Sequence, residues 1–185
     1  MRVIAGSARS LPLKTPSGLD VRPTTDRIKE TLFNMLAPEI PGSRFLDLFS
    51  GSGGIGIEAL SRGASCAVFV EKDAKALSCI RANLTFTRLM DRAEIFASDV
   101  FDALRQMEQR FSEPFSVIFM DPPYHRELEK TVLLLLEHSP LADEHTVLIA
   151  EAALDTDLSW IAETGYIVEK QKKYKTNQHI WLRKK

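Results

Sequence analysis

Between residues 44 and 151 the chain repeats one pattern: a short apolar run, then a segment of helical period. Arg44 to Phe49 reads as a buried strand and Ile55 to Arg62 as a helix. Cys66 to Glu71 with Ala74 to Phe86, Ala93 to Phe96 with Val100 to Gln109, and Ser116 to Met120 with Glu127 to Glu137 follow, and Thr146 to Glu151 is a fifth strand. Strands that alternate with helices pair in parallel, and each crossover helix must cover a face of the sheet. The pattern therefore predicts an α/β, doubly wound, Rossmann-like sheet with helices on both faces. Tyr166 to Lys173 and His179 to Arg183, on either side of Thr176-Asn177, read as a final antiparallel pair. Upstream, residues 2–5 and 10–14 read as a β-hairpin around Gly6-Ser7-Ala8-Arg9. Ile28, Leu32, Met35 and Leu36 mark one face of a leading helix after Thr24-Thr25-Asp26. The 185 residues suit a single domain, with residues 1–20 as a hairpin extension and 21–40 as the leading helix.

Several classes are excluded. The longest aliphatic run, Val132 to Leu136, is far short of the ~20 residues a membrane span needs. The start of the chain has no secretory h-region, so the expected compartment is the reducing cytoplasm. Cys66 and Cys79, the 2 cysteines, cannot supply a disulfide framework or a four-ligand metal site, and both read as buried small apolar residues. His138, His145 and His179 lack metal-ligand spacing.

The turn after the first strand, Gly51-Ser52-Gly53-Gly54-Ile55-Gly56, has the Gly-x-Gly-x-x-Gly spacing of a nucleotide-binding turn. It is not a phosphate loop, because Ile57-Glu58 stands where Lys-Ser/Thr is required. Asp47, four residues before the first glycine, would repel a pyrophosphate and attract an ammonium group. S-adenosylmethionine carries such a group. Asp47 then suits its amino group, Glu71 its ribose hydroxyls and Asp99 its adenine amine, all at carboxyl ends of predicted strands. Asp99 equally suits a cap on the helix that begins at Val100. Ser50, Ser52, Lys72 and Val100 flank these positions and complete the candidate cofactor set. Thr24 and Thr25 suit a helix cap or a border of the same pocket.

Asp121-Pro122-Pro123-Tyr124 closes the fourth strand. Two prolines stiffen the turn and remove two N–H donors. The Asp121 carboxylate and the Pro122 carbonyl can accept both hydrogens of an exocyclic NH2, and Tyr124 can stack on the base that carries it. A base presented this way must leave its stack. The reaction this suggests is methyl transfer to nitrogen, with no metal. His125 beside the corner is not needed as a base.

The net charge of −1 hides an asymmetry: residues 1–30 and 165–185 hold 13 Lys/Arg against 4 Asp/Glu, and the remainder 11 against 21. Basic ends around an acidic middle suit a nucleic acid held outside an acidic pocket, or simply solvated strands.

The glycine turn with Asp47, the acid Glu71 and the Asp-Pro-Pro-Tyr corner together resemble class I S-adenosylmethionine-dependent methyltransferases that act on exocyclic amines. The stretches Arg2 to Arg9 and Arg22 to Phe33 are more specific. Over essentially the whole chain they resemble the bacterial 16S ribosomal RNA guanine-N2 methyltransferase family (RsmD type). The resemblance implies a seven-stranded sheet with its last strand antiparallel and a small N-terminal hairpin. It implies a guanine of small-subunit rRNA as substrate, Asp121 to Tyr124 as catalytic corner, and Asp47, Gly51, Gly53 and Glu71 in the cofactor pocket. Arg2, Arg9, Lys14, Arg22, Lys172, Lys173 and Lys175 would then hold RNA phosphates, on naked RNA or an assembled particle, with the protein acting as a monomer. The corner alone leaves adenine N6, on RNA or DNA, as an alternative. A nucleotide-binding oxidoreductase and a non-catalytic RNA-binding protein are the alternatives from other classes.

Overall fold

A computed structural model of the chain describes residues 1–16 and 26–185, so Arg22, Thr24 and Thr25 lie outside the described residues. One seven-stranded sheet is built from β1 (Arg44–Asp47), β2 (Cys66–Glu71), β3 (Ala93–Ala97), β4 (Val117–Met120), β5 (Val147–Ala153), β6 (Tyr166–Lys173) and β7 (Asn177–Lys184). Its order is β3-β2-β1-β4-β5-β7-β6. The first five strands pair in parallel, and β7 lies antiparallel between β5 and β6. The helices are α1 (Asp26–Met35), α2 (Gly54–Ser61), α3 (Ala74–Thr87), α4 (Val100–Arg110) and α5 (Leu128–Glu137).

The strand period of two divides the core into two layers. Leu46, Ile118 and Leu148 point toward α4 and α5, where Leu104, Met107, Val132 and Leu136 are buried. Phe45, Phe69, Val117, Phe119 and Ile149 point the other way, toward Leu32, Phe33, Ile57, Leu60, Ile80 and Leu84 of α1, α2 and α3. No helix among the described residues is long and apolar enough to cross a membrane.

Three local features differ from expectation. The N-terminal residues make a single antiparallel bridge, Arg2 to Pro12, instead of a two-stranded ladder. Beyond it the pairing bends: the Val3 N–H donates to the Leu11 carbonyl, but the Leu11 N–H turns to the Ala8 carbonyl and the Ser10 N–H donates to the Val3 carbonyl in its place. Short 3₁₀ turns at Met90–Arg92 and Ser159–Glu163 are not expected from the sequence, because three to five residues show no helical period. Cys66 and Cys79 are partly exposed rather than buried.

The N-terminal segment is packed onto the second layer. Val3 is fully buried, and Ala8 and Leu13 nearly so. Glu58, inside α2 and 0% exposed, fixes the segment through its carboxylate. It accepts from the backbone N–H groups of Ile4 (2.8 Å) and Ala5 (3.0 Å) and from Arg62 Nε (2.7 Å). It also pairs with Lys29 of α1 at 3.3 Å, and that ammonium donates to the Arg2 carbonyl at 2.6 Å. Burial holds Lys29 below the usual lysine range, with Glu58 opposing the shift. At Gly6, where φ is +84°, an added Cβ would sit 1.8 Å from the Ser61 carbonyl oxygen, so only glycine allows this approach.

Removing one partner of a buried pair leaves the other charge uncompensated. Glu58→Ala is expected to cost about 3–5 kcal/mol in urea unfolding. A loss within the ~0.5 kcal/mol typical of plain surface substitutions would show that Glu58 is not the anchor of this segment.

Candidate active site

In a doubly wound sheet the ligand crevice opens where the strand order reverses, at the carboxyl ends. Here that point lies between β1 and β4. Asp47 ends β1, and Asp121 is the first residue beyond β4. The glycine turn runs from the same point into α2.

Asp47 is 1% exposed, and its Oδ2 accepts the Gly56 N–H at 3.1 Å, one of the unpaired donors of the α2 N-terminus. Burial pushes its carboxyl up to about 7; Glu71 adds to this and the Gly56 hydrogen bond opposes it. Ser50 Oγ donates to the Asp47 carbonyl at 2.8 Å, and the Gly53 N–H donates to the Ser50 carbonyl at 2.7 Å, closing the turn. At Gly51 (φ +52°) an added Cβ would meet nothing within 4 Å, so this part of the turn faces open space. Gly56 does the reverse: its Cβ would come 2.4 Å from the Phe69 ring, so the missing side chain lets helix and strand close up. Glu71, at the end of β2, ties the turn in place. Its Oε2 accepts the Gly51 N–H at 2.9 Å, and its Oε1 accepts those of Lys72 (2.8 Å) and Asp73 (2.9 Å).

Asp99 caps α4, with Oδ1 accepting the N–H groups of Phe101 (2.9 Å) and Asp102 (3.1 Å). These bonds lead the causes that hold its carboxyl below the usual range. Val100, next in the chain, is buried. Lys72 is exposed beside Asp99, where its charge favours the carboxylate.

Asp121 accepts no hydrogen bond from any described residue. Burial first, then the charges of Glu151 and Asp47, raise its carboxyl well above the ordinary range. Pro122 is buried, while Pro123 and Tyr124 are exposed. The Tyr124 hydroxyl donates to Glu151 Oε1 at 2.7 Å, which leaves its ring standing at the rim. His125 is exposed and left-handed at φ +61°.

Two groups of site residues have no local motif. Glu151, Asn177 and His179 meet across the β5–β7 pair. The only sequence signal is the single acid in an otherwise apolar strand; its partners, more than twenty residues later, give none. Asn83 of α3 is 1% exposed and holds the N-terminal segment to the glycine turn. Its Oδ1 accepts from the Lys14 N–H at 2.8 Å, and its Nδ2 donates to the carbonyls of Lys14 and Ser52, both at 2.9 Å.

Of the basic residues, Lys172 and Lys173 are exposed on β6, opposite His179 and Gln178. With Lys175 in the turn they stand at the sheet edge where β5 ends, the edge that carries Glu151. Arg9 and the Lys14 side chain are exposed. Arg2 is exposed but paired with Asp26 at 3.2 Å.

Residues 1–183 match the family model described as Conserved hypothetical protein 95. YlbH of Bacillus subtilis (strain 168) is 41% identical over 158 residues, 85% of this chain and 85% of that protein. The protein named ribosomal RNA small subunit methyltransferase D in Escherichia coli K12 is 39% identical over 150 residues, 80% of this chain and 73% of that one. The solved structure of yhhF from Escherichia coli aligns with a TM-score of 0.83 at 32% identity, covering 100% of this chain and 98% of its own. The chain belongs to the Conserved hypothetical protein 95 family and is a relative of the ribosomal RNA small subunit methyltransferase D proteins.

Proposed function

We propose that this protein transfers a methyl group from S-adenosylmethionine to the exocyclic N2 amine of a guanine in small-subunit (16S) ribosomal RNA. The observation that carries the reading is the juxtaposition of Asp121-Pro122 and the Asp47 glycine turn on adjacent strands at the switch point. The name of the Escherichia coli relative, a small-subunit rRNA methyltransferase, supports the substrate class.

The residues fit the cofactor. The turn is open at Gly51, where a Cβ would occupy ligand space. Asp47 and Glu71 supply acids for an ammonium group and a diol, and Asp99 with Val100 borders the adenine side. When bound, S-adenosylmethionine supplies an electrophilic methyl group on a cationic sulfur. The chain's own residues hold and orient the acceptor. Asp121 and the Pro122 carbonyl take the two amine hydrogens, which aligns the nitrogen lone pair and raises its electron density. Tyr124 stacks on the flipped base, worth roughly 1–3 kcal/mol. Positioning and fixed charge supply most of the rate. Lys172, Lys173 and Lys175, with the basic N-terminal residues, hold the phosphates around the pocket.

Asp121→Asn keeps the shape but not the charge. It is expected to slow methyl transfer to small-subunit particles by about 10²–10³-fold, the scale of losing one preorganised polar group, with cofactor affinity little changed. A normal rate would remove Asp121 from the chemistry.

Asp47 gives a pH signature. Because its folded value is raised to about 7, the folded protein holds this proton while the unfolded chain releases it near pH 4. The stability it contributes is therefore full in acid and lost as pH rises through about 7. A cationic ligand favours the ionised form, so cofactor binding near pH 6 is expected to release a proton. Calorimetry in buffers of different ionisation enthalpy should detect this release in the native protein and not in Asp47→Asn. Equal proton release in both would separate Asp47 from the cofactor.

For the triple variant Lys172→Ala, Lys173→Ala, Lys175→Ala, RNA affinity should depend less steeply on salt, by ~0.7–0.9 in slope for each phosphate no longer neutralised. An unchanged slope would take the β6–β7 hairpin out of the RNA surface.

A further inference from the structure

Resting on the reading above, we infer that Glu151 is a positioning residue of the reaction. Pinned by Tyr124, Asn177 and His179, its carboxylate fixes the rim of the pocket and stands as a permanent negative charge beside Asp121, so that Asp121 takes the proton the methylated amine releases.

The placement follows from strand register. Phe119 pairs with Ile149 and Met120 with Ala150 in the parallel β4–β5 ladder, so Asp121 and Glu151 emerge next as neighbours at the carboxyl edge. Two acids side by side repel, and Glu151 is buried while Asp121 is half-buried. The arrangement persists only if one is compensated, and Glu151 is that one. The Tyr124 hydroxyl (2.7 Å) and Asn177 Nδ2 (2.5 Å) donate to its Oε1. His179 Nε2 lies 2.9 Å from its Oε2 and carries the hydrogen between them. His179 is 0% exposed, enclosed by the rings of Phe119, Tyr174 and Trp181, and its Nδ1 lies 3.3 Å from the Tyr174 hydroxyl. Asn177 turns its amide nitrogen to Glu151 and leaves its own Oδ1 buried without a partner. An unpaired buried acceptor is costly, and that cost points to a use for the Asn177–Glu151 bond beyond stability.

Asp121 has no such partners among the described residues. The charged groups facing it are Glu151 from β5 and Asp47 from β1, both acids. Facing Glu151, besides Asp121, are the titratable side chains of His179 from β7, Tyr124 from the corner and Tyr174 beside the β6–β7 turn. Burial works against the Glu151 charge, but the hydrogen bond and charge of His179 and the hydrogen bonds of Tyr124 and Asn177 outweigh it and hold Glu151 below the usual carboxylate range, so Asp121 is the acid that binds a proton avidly.

The step balances. The amine nitrogen forms its bond to the methyl carbon as the carbon–sulfur bond breaks, with that electron pair going to sulfur. The nitrogen then gives a proton to the ionised Asp121 carboxylate. A base must be ionised to act, so the acid limb of the rate profile reports Asp121 as Glu151 has tuned it.

The test is Glu151→Gln, which keeps the shape and the acceptor oxygen but removes the charge. In kcat/KM on small-subunit particles lacking the modification, the acid limb is expected to move to lower pH by about one unit or more. Tyr124→Phe, which breaks the hydrogen bond to Glu151 but keeps the ring, should raise KM for the particle and leave the limb in place. A second measurement needs no activity: ¹³C NMR titration of aspartate carboxyls, with the Asp121 signal identified by its loss in Asp121→Asn. Its midpoint should lie above the ordinary carboxylate range in the native protein and fall in Glu151→Gln. His179→Leu, a second variant should the first not fold, should lower it too, because it removes the leading donor that holds Glu151 ionised and puts no donor in its place. An Asp121 midpoint that is ordinary in the native protein, or unmoved in a folded variant, overturns the inference. If the midpoint falls but the native protein methylates no particle, the Glu151–Asp121 coupling stands and the methyltransfer reading fails.

Discussion

Burying carboxylates at the carboxyl edge of a parallel sheet is expensive, and the local structure around the crevice follows from how each one is compensated. A charged group withdrawn from water must find donors, a counter-charge or a proton. Glu71 finds three backbone N–H groups, and in doing so sets the conformation of the glycine turn. Asp47 finds one, at the head of α2, and its affinity for a proton rises accordingly. Glu151 finds a histidine, an amide and a phenol. Asp121 finds none among the described residues. The edge is thus a row of acids whose compensation runs out at Asp121, the residue proposed to hold the substrate amine, beside the Asp47 turn proposed to take the cationic methyl donor.

Glu58 shows what a buried acid looks like when its neighbours neutralise it fully. It is more completely buried than any acid at the crevice, yet two backbone N–H groups, Lys29 and Arg62 neutralise it in place. It joins the N-terminal segment, α1 and α2 into one layer. Asn83 extends the same connection to the glycine turn by holding Lys14 and Ser52 together. The basic residues of the N-terminus are therefore carried on a segment fastened both to α2 and to the glycine turn.

Much of this is legible in the sequence because it is written locally. The βα alternation yields the sheet, and the spacing from Asp47 to Gly56 yields the turn with its neighbouring acid. Asp121 to Tyr124 marks the corner because two prolines and an acid after an apolar strand have few other uses. The rest depends on residues far apart in the chain. The partners of Glu151 lie 26–28 residues away on β7, brought there by the antiparallel reversal, and no local period announces them. Asn83 reads as an ordinary polar position of α3, and only tertiary contact shows what it grips. The hairpin expected at residues 2–14 forms with one bridge and three cross-strand bonds, and it is cut short because the Leu11 N–H turns back to Ala8, which no residue period announces. Asp99 carries two readings at once, and the cap is the one its geometry displays.

The edge is proposed to grip the exocyclic amine of a guanine beside a methyl-bearing sulfonium. The most direct test is to incubate the purified protein and S-adenosylmethionine with small-subunit particles that lack their native modification, and then to map the methylated nucleotide by mass spectrometry of nuclease fragments. A single methyl group on N2 of one guanine is the expected product. A methyl group on adenine, on a ring carbon or on ribose, or no methyl group at all, would contradict it.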